Sequence, residues 1–339
     1  MGVTIKDVAR EAGVSIATVS KVINGSYSIS KETIARVNDV MKKLDYHPNT
    51  RARNLAQKSN RTIVFVTSLE KNVGFTNPHM FEMMCGLENY LSKKDYSLVL
   101  RSLTTDEAPD YIKETFDVKK ADGFIIHASL LSEKLDETIS KNEIPHLVLG
   151  MPNFESHMSW IDVNNKHAGE IAAKYLLACG YCSLAFIGGR PEDKISMNRL
   201  EGVLSMLKEH DVVQPQNYIK YGESATNSGF ELTSEIIELD HRPEAIICAN
   251  NYLAYGCVRA IKESGLTIPK DIGVLTFDDF PFSKLLAPQL SVVNIDVYDL
   301  GYEAGKNILK IVRNPNVHIQ SYITNPNIIQ RESTVNNMR

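Results

Sequence analysis

Residues 3–24 read VTIKDVAREAGVSIATVSKVIN, and this stretch predicts two short helices joined by a tight turn. Thr4 and Asp7 form a Thr-x-x-Asp variant of the capping box and open the first helix. Gly13 can adopt the left-handed conformation without a steric penalty, so it fits the turn. Ser15 is placed to cap the second helix, which runs to the end of the stretch.

The apolar residues of this stretch fall on one side of the two predicted helices. That side consists of Ile5, Val8, Ala9, Val14, Val19 and Val22. The outward face carries Ile16, Ala17, Ser20 and Lys21. A helix that presents small residues and a cation, packed across a short first helix, is typical of the helix-turn-helix that lays its second helix in the DNA major groove. An ordinary helical hairpin is the alternative interpretation.

A third predicted helix supports a compact domain. Ser30 is placed to cap it, and one of its faces carries Ile34, Val37, Met41 and Leu44. Three short helices within residues 1–48 therefore predict a small DNA-reading domain rather than an isolated hairpin.

The segment 46–61, YHPNTRARNLAQKSNR, follows this domain. Pro48 cannot extend a helix, so the chain leaves the domain there, and Asn49 is placed to cap one short helix over 50–57. The basic side chains that suit phosphate contacts are Arg51, Arg53 and Lys58. Leu55 is apolar in a polar segment with no obvious core, so it is a candidate wedge between base steps of the minor groove. A solvated linker with one incidental leucine is the alternative.

Charge is distributed unevenly along the chain. The 339 residues carry a formal net charge of -4, yet residues 1–61 hold eleven Lys/Arg against five Asp/Glu, a net of +6. The remainder carries -10, so only the N-terminal part suits a polyanionic partner. There is no apolar run of membrane-spanning length and no hydrophobic secretory core, so we expect a cytoplasmic protein without membrane contact.

Motifs for catalysis and for metal binding are missing from the sequence. There is no G-x-S-x-G elbow, no phosphate-binding loop and no H-E-x-x-H pair, so we expect no enzyme and no cofactor. The five cysteines are too scattered for a disulfide framework, which indicates a reducing compartment. Cys179 and Cys182 spell C-x-x-C, but no second Cys/His pair stands at metal-site spacing, and we expect them at a turn between a helix and a strand.

From residue 62 onward, apolar runs of strand length alternate with helical patterns. Predicted strands are 63–66, 97–100, 123–127, 146–149, 184–187, 245–249 and 273–277. Predicted helices are 81–93, 168–179, 199–209, 228–239 and 253–264. This alternation predicts parallel sheets in right-handed, doubly wound layers, and the length suits two of them.

Several polar residues follow the predicted strands, where ligands bind in such folds. Asn250 and Asp278 each follow a strand, and Arg199 is predicted to open the helix after another. A carboxylate, a forked guanidinium and an amide form a set suited to a neutral polyol. The alternative is that each is a cap or turn residue, as the Asp278-Asp279 pair before Phe280 would allow.

The stretches TIKDVAREAGVSIATVSKVING, YHPNTRARNLA, RLEGV, AIICANNYLAYG and GVLTFDDFP occur in this order. Together they resemble the lactose/purine repressor (LacI) family of bacterial transcription regulators over nearly the whole chain. The resemblance implies an N-terminal all-α helix-turn-helix domain and a hinge helix that folds on DNA. It also implies an α/β core like the periplasmic sugar-binding proteins, with two doubly wound parallel-sheet subdomains. The implied domains are 1–48, the hinge 49–61, an N-subdomain of 62–161 and 292–322, and a C-subdomain of 162–291 and 323–339, with the effector cleft between the subdomains.

The resemblance also implies which residues contact DNA. In the family, two positions after the first serine of the second helix and one basic residue further on read bases; here these are Ile16, Ala17 and Lys21. Many members have arginine at the last position, so Lys21 departs from the fork that grips guanine. The family's hinge leucine matches Leu55. The full set of candidate DNA contacts is Thr4, Ser15, Ile16, Ala17, Thr18, Ser20, Lys21, Asn24, Tyr46, Asn49, Arg53 and Leu55.

For the effector, Arg199, Asn250 and Asp278 match positions that contact sugars or purines in the family. His79 and Met80 stand where the family often has two phenylalanines, so the aromatic platform is altered. The candidate effector contacts are His79, Met80, Arg199, Asn250 and Asp278. The RLEGV and LVLGMPN segments lean towards maltose-type repressors.

The resemblance implies a homodimer on a pseudo-palindromic operator in double-stranded DNA, in the bacterial cytoplasm at the nucleoid. The favoured function is repression of a carbohydrate-use operon, with release by a small sugar. The alternative is a catabolite-control-type global regulator whose corepressor is a phosphorylated carrier protein. The docking helix of that class reads roughly YDIGAVAMRLLTK, and residues 298–306, YDLGYEAGK, keep only its start.

Overall fold

The computed structural model describes residues 3–23, 28–46, 59–69, 78–324 and 326–335, without the side chains of 281, 282 and 324. By its internal contacts the chain divides into two compact units, residues 1–61 and residues 62–339. We call these units the head and the core.

The described part of the head contains the helices α1 (Ile5–Ala12), α2 (Ile16–Ile23) and α3 (Lys31–Lys43). The predicted cap of α1 is confirmed, because the Asp7 carboxylate accepts hydrogen bonds from the Thr4 backbone N–H at 3.0 Å and from the Thr4 hydroxyl at 2.7 Å. Gly13 ends α1 in the left-handed conformation, with φ of 63°. The predicted helix-turn-helix and third helix are therefore present.

One apolar cluster holds these helices together. Its buried members are Val8, Ala9, Ala12, Val19, Val22 and Val37. Ile5, Val14, Ile34, Met41 and Leu44 pack against it partly buried. The predicted apolar side of the first two helices and the predicted apolar face of the third thus form a single core, which leaves the opposite face of α2 to solvent.

The core alternates strands and helices along the chain. Its strands are β1 (Thr62–Thr67), β2 (Ser97–Ser102), β3 (Gly123–His127), β4 (His146–Leu149), β5 (Trp160–Val163), β6 (Leu184–Gly188), β7 (Ile219–Tyr221), β8 (Ala245–Cys248), β9 (Gly273–Phe277), β10 (Ser291–Asn294), β11 (Gln320–Thr324) and β12 (Asn327–Ile329). Its helices are α4 (Pro78–Ser92), α5 (Ala108–Asp117), α6 (Glu133–Lys141), α7 (Asn165–Ala178), α8 (Lys194–Glu209), α9 (Thr226–Ile237), α10 (Asn251–Glu263) and α11 (Val297–Arg313). None of the helices in the described ranges has both the length and the apolar character needed to cross a membrane.

The first sheet has the strand order β2-β1-β3-β4-β5-β11, and all of its described pairings are parallel. Helices α4 and α11 cover one face through a cluster that includes Phe65, Leu87 and Leu300. A second cluster, which includes Phe124 and Ile112, fills the other face. Because both faces are covered at β1, β3 and β4, these strands are nearly continuous apolar runs, as the sequence showed, whereas the edge strand β2 is largely exposed.

The second sheet has the order β7-β6-β8-β9-β10-β12. It is parallel except at its edge, where β12 pairs antiparallel with β10. A single large cluster that includes Phe186, Leu253 and Phe277 packs the sheet against its helices. The doubly wound fold of two parallel-sheet layers is therefore confirmed, and β12 departs from purely parallel pairing because the chain returns to this sheet directly from β11.

The chain passes between the sheets three times, after Val163, after Asn294 and after Thr324. These passages lie two or three residues beyond the boundaries implied by the resemblance, which fall at 161, 291 and 322. The difference arises because the strands on each side continue to the crossing itself. The strands β5, β7 and β12 were absent from the sequence prediction because each contains a polar residue and therefore forms no continuous apolar run.

Two helices of the first layer approach closely through glycines. A Cβ on Gly86 of α4 would overlap the carbonyl oxygen of Tyr298 on α11, and a Cβ on Gly301 would overlap the carbonyl oxygen of Met83. Each helix therefore presents a glycine where the backbone of the other helix lies. This contact holds α11, whose sequence position is far from α4, onto the first sheet.

We expect Gly301→Ala to destabilise the core, because the added methyl group must push the two helix backbones apart. Overpacking of this kind costs about 3 kcal/mol, which corresponds to a melting temperature lower by about 6 °C. Thermal unfolding of the variant measures the loss. Lys310→Ala, on the exposed side of the same helix, is the matched control, and an equal effect of both substitutions would show that the close approach is not needed.

Candidate DNA-reading face and effector cleft

The start of α2 is fixed by a serine cap. The Ser15 hydroxyl oxygen accepts a hydrogen bond from the Thr18 backbone N–H at 3.0 Å and lies 2.8 Å from the Thr18 hydroxyl. Both side chains are thus partly occupied in holding the first turn of the helix. Their remaining hydrogen-bonding capacity is available to a phosphate at the helix N-terminus, where the backbone N–H groups favour an anion.

The outward face of α2 is accessible as predicted. Ala17 and Lys21 are exposed, and Ile16 retains 44% of its surface. Positions 17 and 21 lie one turn apart, so they share one face of the helix, while Val19 and Val22 are buried on the other. The structure therefore places the three candidate base-reading side chains on the side of α2 that the apolar cluster of the head leaves exposed.

The other candidate DNA contacts have varied surroundings. Thr4 is exposed and is used in the α1 cap, while Ser20 is half-buried. Tyr46 is half-buried and packs against the apolar cluster of the head, a role that its sequence position did not reveal. Asn24, Asn49, Arg53 and Leu55 lie outside the described residues, as does the predicted hinge helix.

Arg199 is the most heavily bonded of the candidate effector residues. Its Nε donates to Asn165 Oδ1 at 3.0 Å, and its Nη1 donates to the Ala249 carbonyl oxygen at 2.8 Å. Both Nη atoms lie 3.4 Å from Asp278 Oδ2, and the guanidinium stacks on the Phe277 ring, 4.2 Å from its centre. Only 4% of the residue is exposed, so a buried cation is held by an amide, a carbonyl and a carboxylate.

The predicted position of Arg199 at the opening of its helix is wrong. Helix α8 begins five residues earlier, at Lys194, and Asp193 caps it by accepting a hydrogen bond from the Ser196 backbone N–H at 3.2 Å. Arg199 consequently lies in the second turn. The error came from overlooking the Asp193 cap, which stands three residues before Ser196 in the sequence.

Asp278 follows β9 in a left-handed backbone conformation, with φ of 70°. Its N–H donates to the Val293 carbonyl at 2.8 Å, and its carbonyl accepts from Asn251 Nδ2 at 2.9 Å. Among the described residues, no hydrogen bond is made to Asp278 Oδ1. One carboxylate oxygen therefore faces Arg199, and the other retains its full capacity as an acceptor.

Asn250 combines a structural and an exposed role. Its Oδ1 accepts from the Leu253 backbone N–H at 3.0 Å, which caps α10, and its Nδ2 donates to the Ser224 hydroxyl at 3.0 Å. The cap interpretation considered from the sequence is therefore correct for Oδ1. The side chain keeps one further N–H, whose direction is fixed by the same two bonds. This N–H can donate a hydrogen bond to a ligand hydroxyl.

The first layer approaches this group through His79. Its ring meets the Phe280 ring edge-on, with centres 4.6 Å apart. Burial lowers the pKa of His79, the Asp278 carboxylate acts in the opposite direction, and the Arg199 charge adds to the lowering. Met80, the neighbouring candidate, is 4% exposed and is a core residue. The structure thus brings together His79, Arg199, Asn250 and Asp278, whose surroundings we call the cleft.

Asp162 is a cleft residue that the sequence analysis missed. Its carboxylate accepts hydrogen bonds from the backbone N–H groups of Met151 at 2.9 Å and Val163 at 2.7 Å. Burial raises the pKa of Asp162, while these two hydrogen bonds and then the charge of Arg199 act in the opposite direction. Its only signal in the sequence was a polar residue within the short strand β5, which the apolar-run criterion passed over.

In the cleft, the buried Arg199 cation is paired with the Asp278 carboxylate, so the pair carries no net charge. The groups of the cleft can both donate and accept hydrogen bonds, which suits a neutral ligand that carries several hydroxyls. In the described residues, no three His, Cys, Asp or Glu side chains are grouped to hold a metal ion. Cys179 and Cys182 are both free thiols that lie after α7, at the turn before β6.

Comparisons with known proteins agree with this geometry. Residues 4–49 match the family described as "Bacterial regulatory proteins, lacI family", and residues 173–334 match the "Periplasmic binding protein-like domain". The chain is 30% identical to catabolite control protein A of Staphylococcus epidermidis, over 97% of this chain and 96% of that protein. It is 29% identical to the HTH-type transcriptional repressor PurR of Vibrio atlanticus, over 97% and 98% of the two chains. The fold matches that of the lac repressor dimer bound to operator and the anti-inducer ONPF with a TM-score of 0.78, at 24% identity, over 99% of this chain and 100% of that one.

The chain therefore belongs to the lacI family of bacterial regulatory proteins. It is a DNA-binding transcriptional regulator with a helix-turn-helix head and a core of the periplasmic-binding-protein type. The two relatives named above are regulators rather than enzymes.

We expect the core to lose stability as the pH falls, in part through His79. The pKa of His79 in the folded chain lies below its value of 6.5 in the unfolded chain, so the unfolded state takes up the proton first and is stabilised relative to the folded state. The melting temperature should therefore fall between about pH 7.5 and 5.5, and His79→Gln should flatten that slope. His210→Gln, at an exposed position, is the control, and an unchanged slope in His79→Gln would contradict the assignment.

Proposed function

We propose that this protein is a repressor of a carbohydrate-use operon that binds a pseudo-palindromic operator as a homodimer and is released by a neutral sugar. The observation that carries the effector class is the pairing of Arg199 with Asp278. Because the buried cation already has a carboxylate partner, an anionic ligand would have to compete with Asp278 for it. A neutral polyol instead uses the acceptor Oδ1 of Asp278 and the donors around it.

The DNA-binding part of the proposal rests on the head. Ile16, Ala17 and Lys21 are accessible on one face of α2, and residues 1–61 carry a net charge of +6. A basic unit with an exposed recognition helix is suited to the phosphate backbone and to base edges in the major groove. Operator DNA lies in the bacterial cytoplasm, so we place the protein there, at the nucleoid.

The homodimer is supported by apolar surface at one edge of the first sheet. Strand β2 is an edge strand, and Val99 and Leu100 on it each retain 42% of their surface. Phe81 of α4 is 53% exposed. Exposed apolar groups next to an unpaired strand edge are characteristic of a surface that another chain covers. The structural neighbour on operator DNA is itself a dimer.

The polar groups of the cleft support a sugar as the effector, and the sequence resemblance favours a maltose-type sugar. The polar groups come from the ends of the second sheet, and the His79 and Phe280 rings, which meet edge-on, add aromatic surface beside them. Sugar sites commonly combine such polar groups with an aromatic surface. His79 in place of a phenylalanine adds a group that can hydrogen-bond a hydroxyl.

The catabolite-control alternative is favoured by one specific observation, the 30% identity to catabolite control protein A. Helix α11 contains the segment that resembles the docking helix of that class. On it, Glu303 pairs with Lys306 at 3.0 Å, and the Tyr302 ring packs edge-on against Tyr90. A regulator of this type would bind its operator more tightly when the phosphorylated carrier protein is added, whereas the favoured function requires a sugar to weaken binding.

Lys21 is expected to set the preference at one base pair in each half-site. Lys21→Ala should relax that preference about fivefold and lower affinity for other sequences only slightly, because a single cation makes fewer base contacts than a forked guanidinium. Selection of bound sequences from randomised double-stranded DNA measures both effects. Lys6→Ala, at an exposed position on α1, is the control. A selected site without two-fold symmetry would count against the dimer on a pseudo-palindrome.

Asp278→Asn is expected to weaken sugar binding about tenfold or more, because the amide keeps the shape but loses the charge-assisted hydrogen bonds. Operator binding without sugar should survive, so the variant should be a repressor that is not released. The measurement is operator titration with and without sugars that raise the melting temperature of the wild-type protein. A variant that responds at wild-type sugar concentrations removes Asp278 from the site, and a sugar that tightens wild-type binding makes the protein corepressed.

A further inference from the structure

Asp278 and Asp279 are adjacent carboxylates with different surroundings. Both carboxylate oxygens of Asp279 are engaged: Arg331 Nη2 lies 2.7 Å from Oδ1, and Lys284 Nζ lies 3.3 Å from Oδ2. In the part of the chain that the structure describes, the Asp278 carboxylate by contrast bonds Arg199 alone, through Oδ2. One carboxylate is therefore clamped, and its neighbour is presented to the cleft.

The clamp comes from the C-terminal segment. Arg331 follows β12, and its side chain, like that of Asp279, is largely buried, with 10% and 15% exposed. Its Nη1 also donates to the Leu290 carbonyl at 3.0 Å, and its backbone N–H donates to the Ser291 hydroxyl at 2.8 Å. The Leu290 carbonyl thus holds the guanidinium while it bonds Asp279, and the Ser291 hydroxyl holds the backbone of the same residue. Lys284 is 58% exposed, so it restrains Asp279 less.

The backbone at this point needs such a grip. Asp278 has a φ of 70°, a conformation that is costly for a residue with a Cβ and persists only where its surroundings hold it. Asn251 Nδ2 donates to the Phe277 and Asp278 carbonyls at 2.8 and 2.9 Å, which restrains the preceding side of the turn. On the following side, the Asp279 N–H donates to Asn294 at 3.2 Å.

We propose that Arg331 is a positioning residue for the effector cleft. By gripping the Asp279 carboxylate, it restrains the following side of the turn, keeps Asp278 in its left-handed conformation and so aims the Asp278 carboxylate at the cleft. Arg331 itself does not contact the ligand. The consequence for sugar binding rests on the proposed function, whereas the restraint on the backbone does not.

A cycle of variants tests the restraint without any ligand. Glycine adopts a φ of 70° without strain, so Asp278→Gly should remove the need for the clamp. Arg331→Gln is expected to lower the melting temperature by about 4 °C in the wild-type background and by less than about half of that in the Asp278→Gly background. Asp278→Gly also removes the carboxylate that pairs with Arg199. This loss is the same with and without Arg331→Gln, so it cancels when the two Asp278→Gly proteins are compared.

Two controls separate backbone strain from other effects. In the Asp278→Asn background the charge is lost but the Cβ remains, so Arg331→Gln should cost as much as in the wild type. Lys220→Gln breaks the ion pair to Glu235 elsewhere in the core and should cost the same in every background. Equal losses from Arg331→Gln in all three backgrounds would overturn the proposal. If Arg331→Gln does not fold, Arg331→Lys, which keeps the charge but not the fork, is used in the same cycle.

Maltose and cellobiose serve as the ligand probes, with binding followed by calorimetry. If either sugar binds the wild-type protein, Arg331→Gln should raise its dissociation constant about tenfold, Arg331→Lys about threefold and Lys220→Gln not at all. Wild-type affinity in Arg331→Gln would overturn the positioning role. If neither sugar binds the wild-type protein, that result counts against the proposed sugar effector, and the cycle of variants alone decides the role of Arg331.

Discussion

The cleft depends on one buried cation, the guanidinium of Arg199. Its hydrogen bonds reach three separate elements, to Asn165 on α7, to Ala249 after β8 and to Asp278 after β9. A buried charge that loses its partner is destabilising by about 3–5 kcal/mol. The carboxyl ends of the second sheet are consequently fixed relative to one another before any ligand is bound, and the cleft is organised in advance.

The same ion pair limits what the cleft can bind. A buried guanidinium attracts any anion, but Arg199 already has an anionic partner, the Asp278 carboxylate at 3.4 Å. That distance is longer than in a strong charge-assisted hydrogen bond, so the two side chains face each other without forming a tight ion pair. Hydroxyl groups can bridge such a pair because each hydroxyl donates to the carboxylate and accepts from the guanidinium. We therefore attribute the proposed preference for neutral ligands to this pairing of charges rather than to shape.

The sequence predicted those parts of the molecule that local rules determine. The Thr4 cap, the Gly13 turn and the apolar side of α1 and α2 each depend on residues within one or two turns, and all three were predicted correctly. The continuous apolar runs of β8 and β9 were predicted for the same reason, which located Asn250 and Asp278. Asp162 was missed because it interrupts the apolar run of β5. The difference between Asp278 and Asp279 was not predictable because it depends on residue 331, far away in the chain.

The distribution of groups between the two sheets bears on how a ligand could switch the protein. Arg199, Asn250 and Asp278 all belong to the second sheet's layer and are fixed by its own hydrogen bonds, so a ligand gains from them equally whether the cleft is open or closed. A ligand shifts such an equilibrium only through contacts that differ between the two states. We assign those contacts to the first layer, which contributes His79 and Asp162, two residues whose pKa values the charge of Arg199 influences. Under the proposed function, affinity and switching fall on different residues, and we expect a substitution in the first layer to uncouple the switch while leaving binding largely intact.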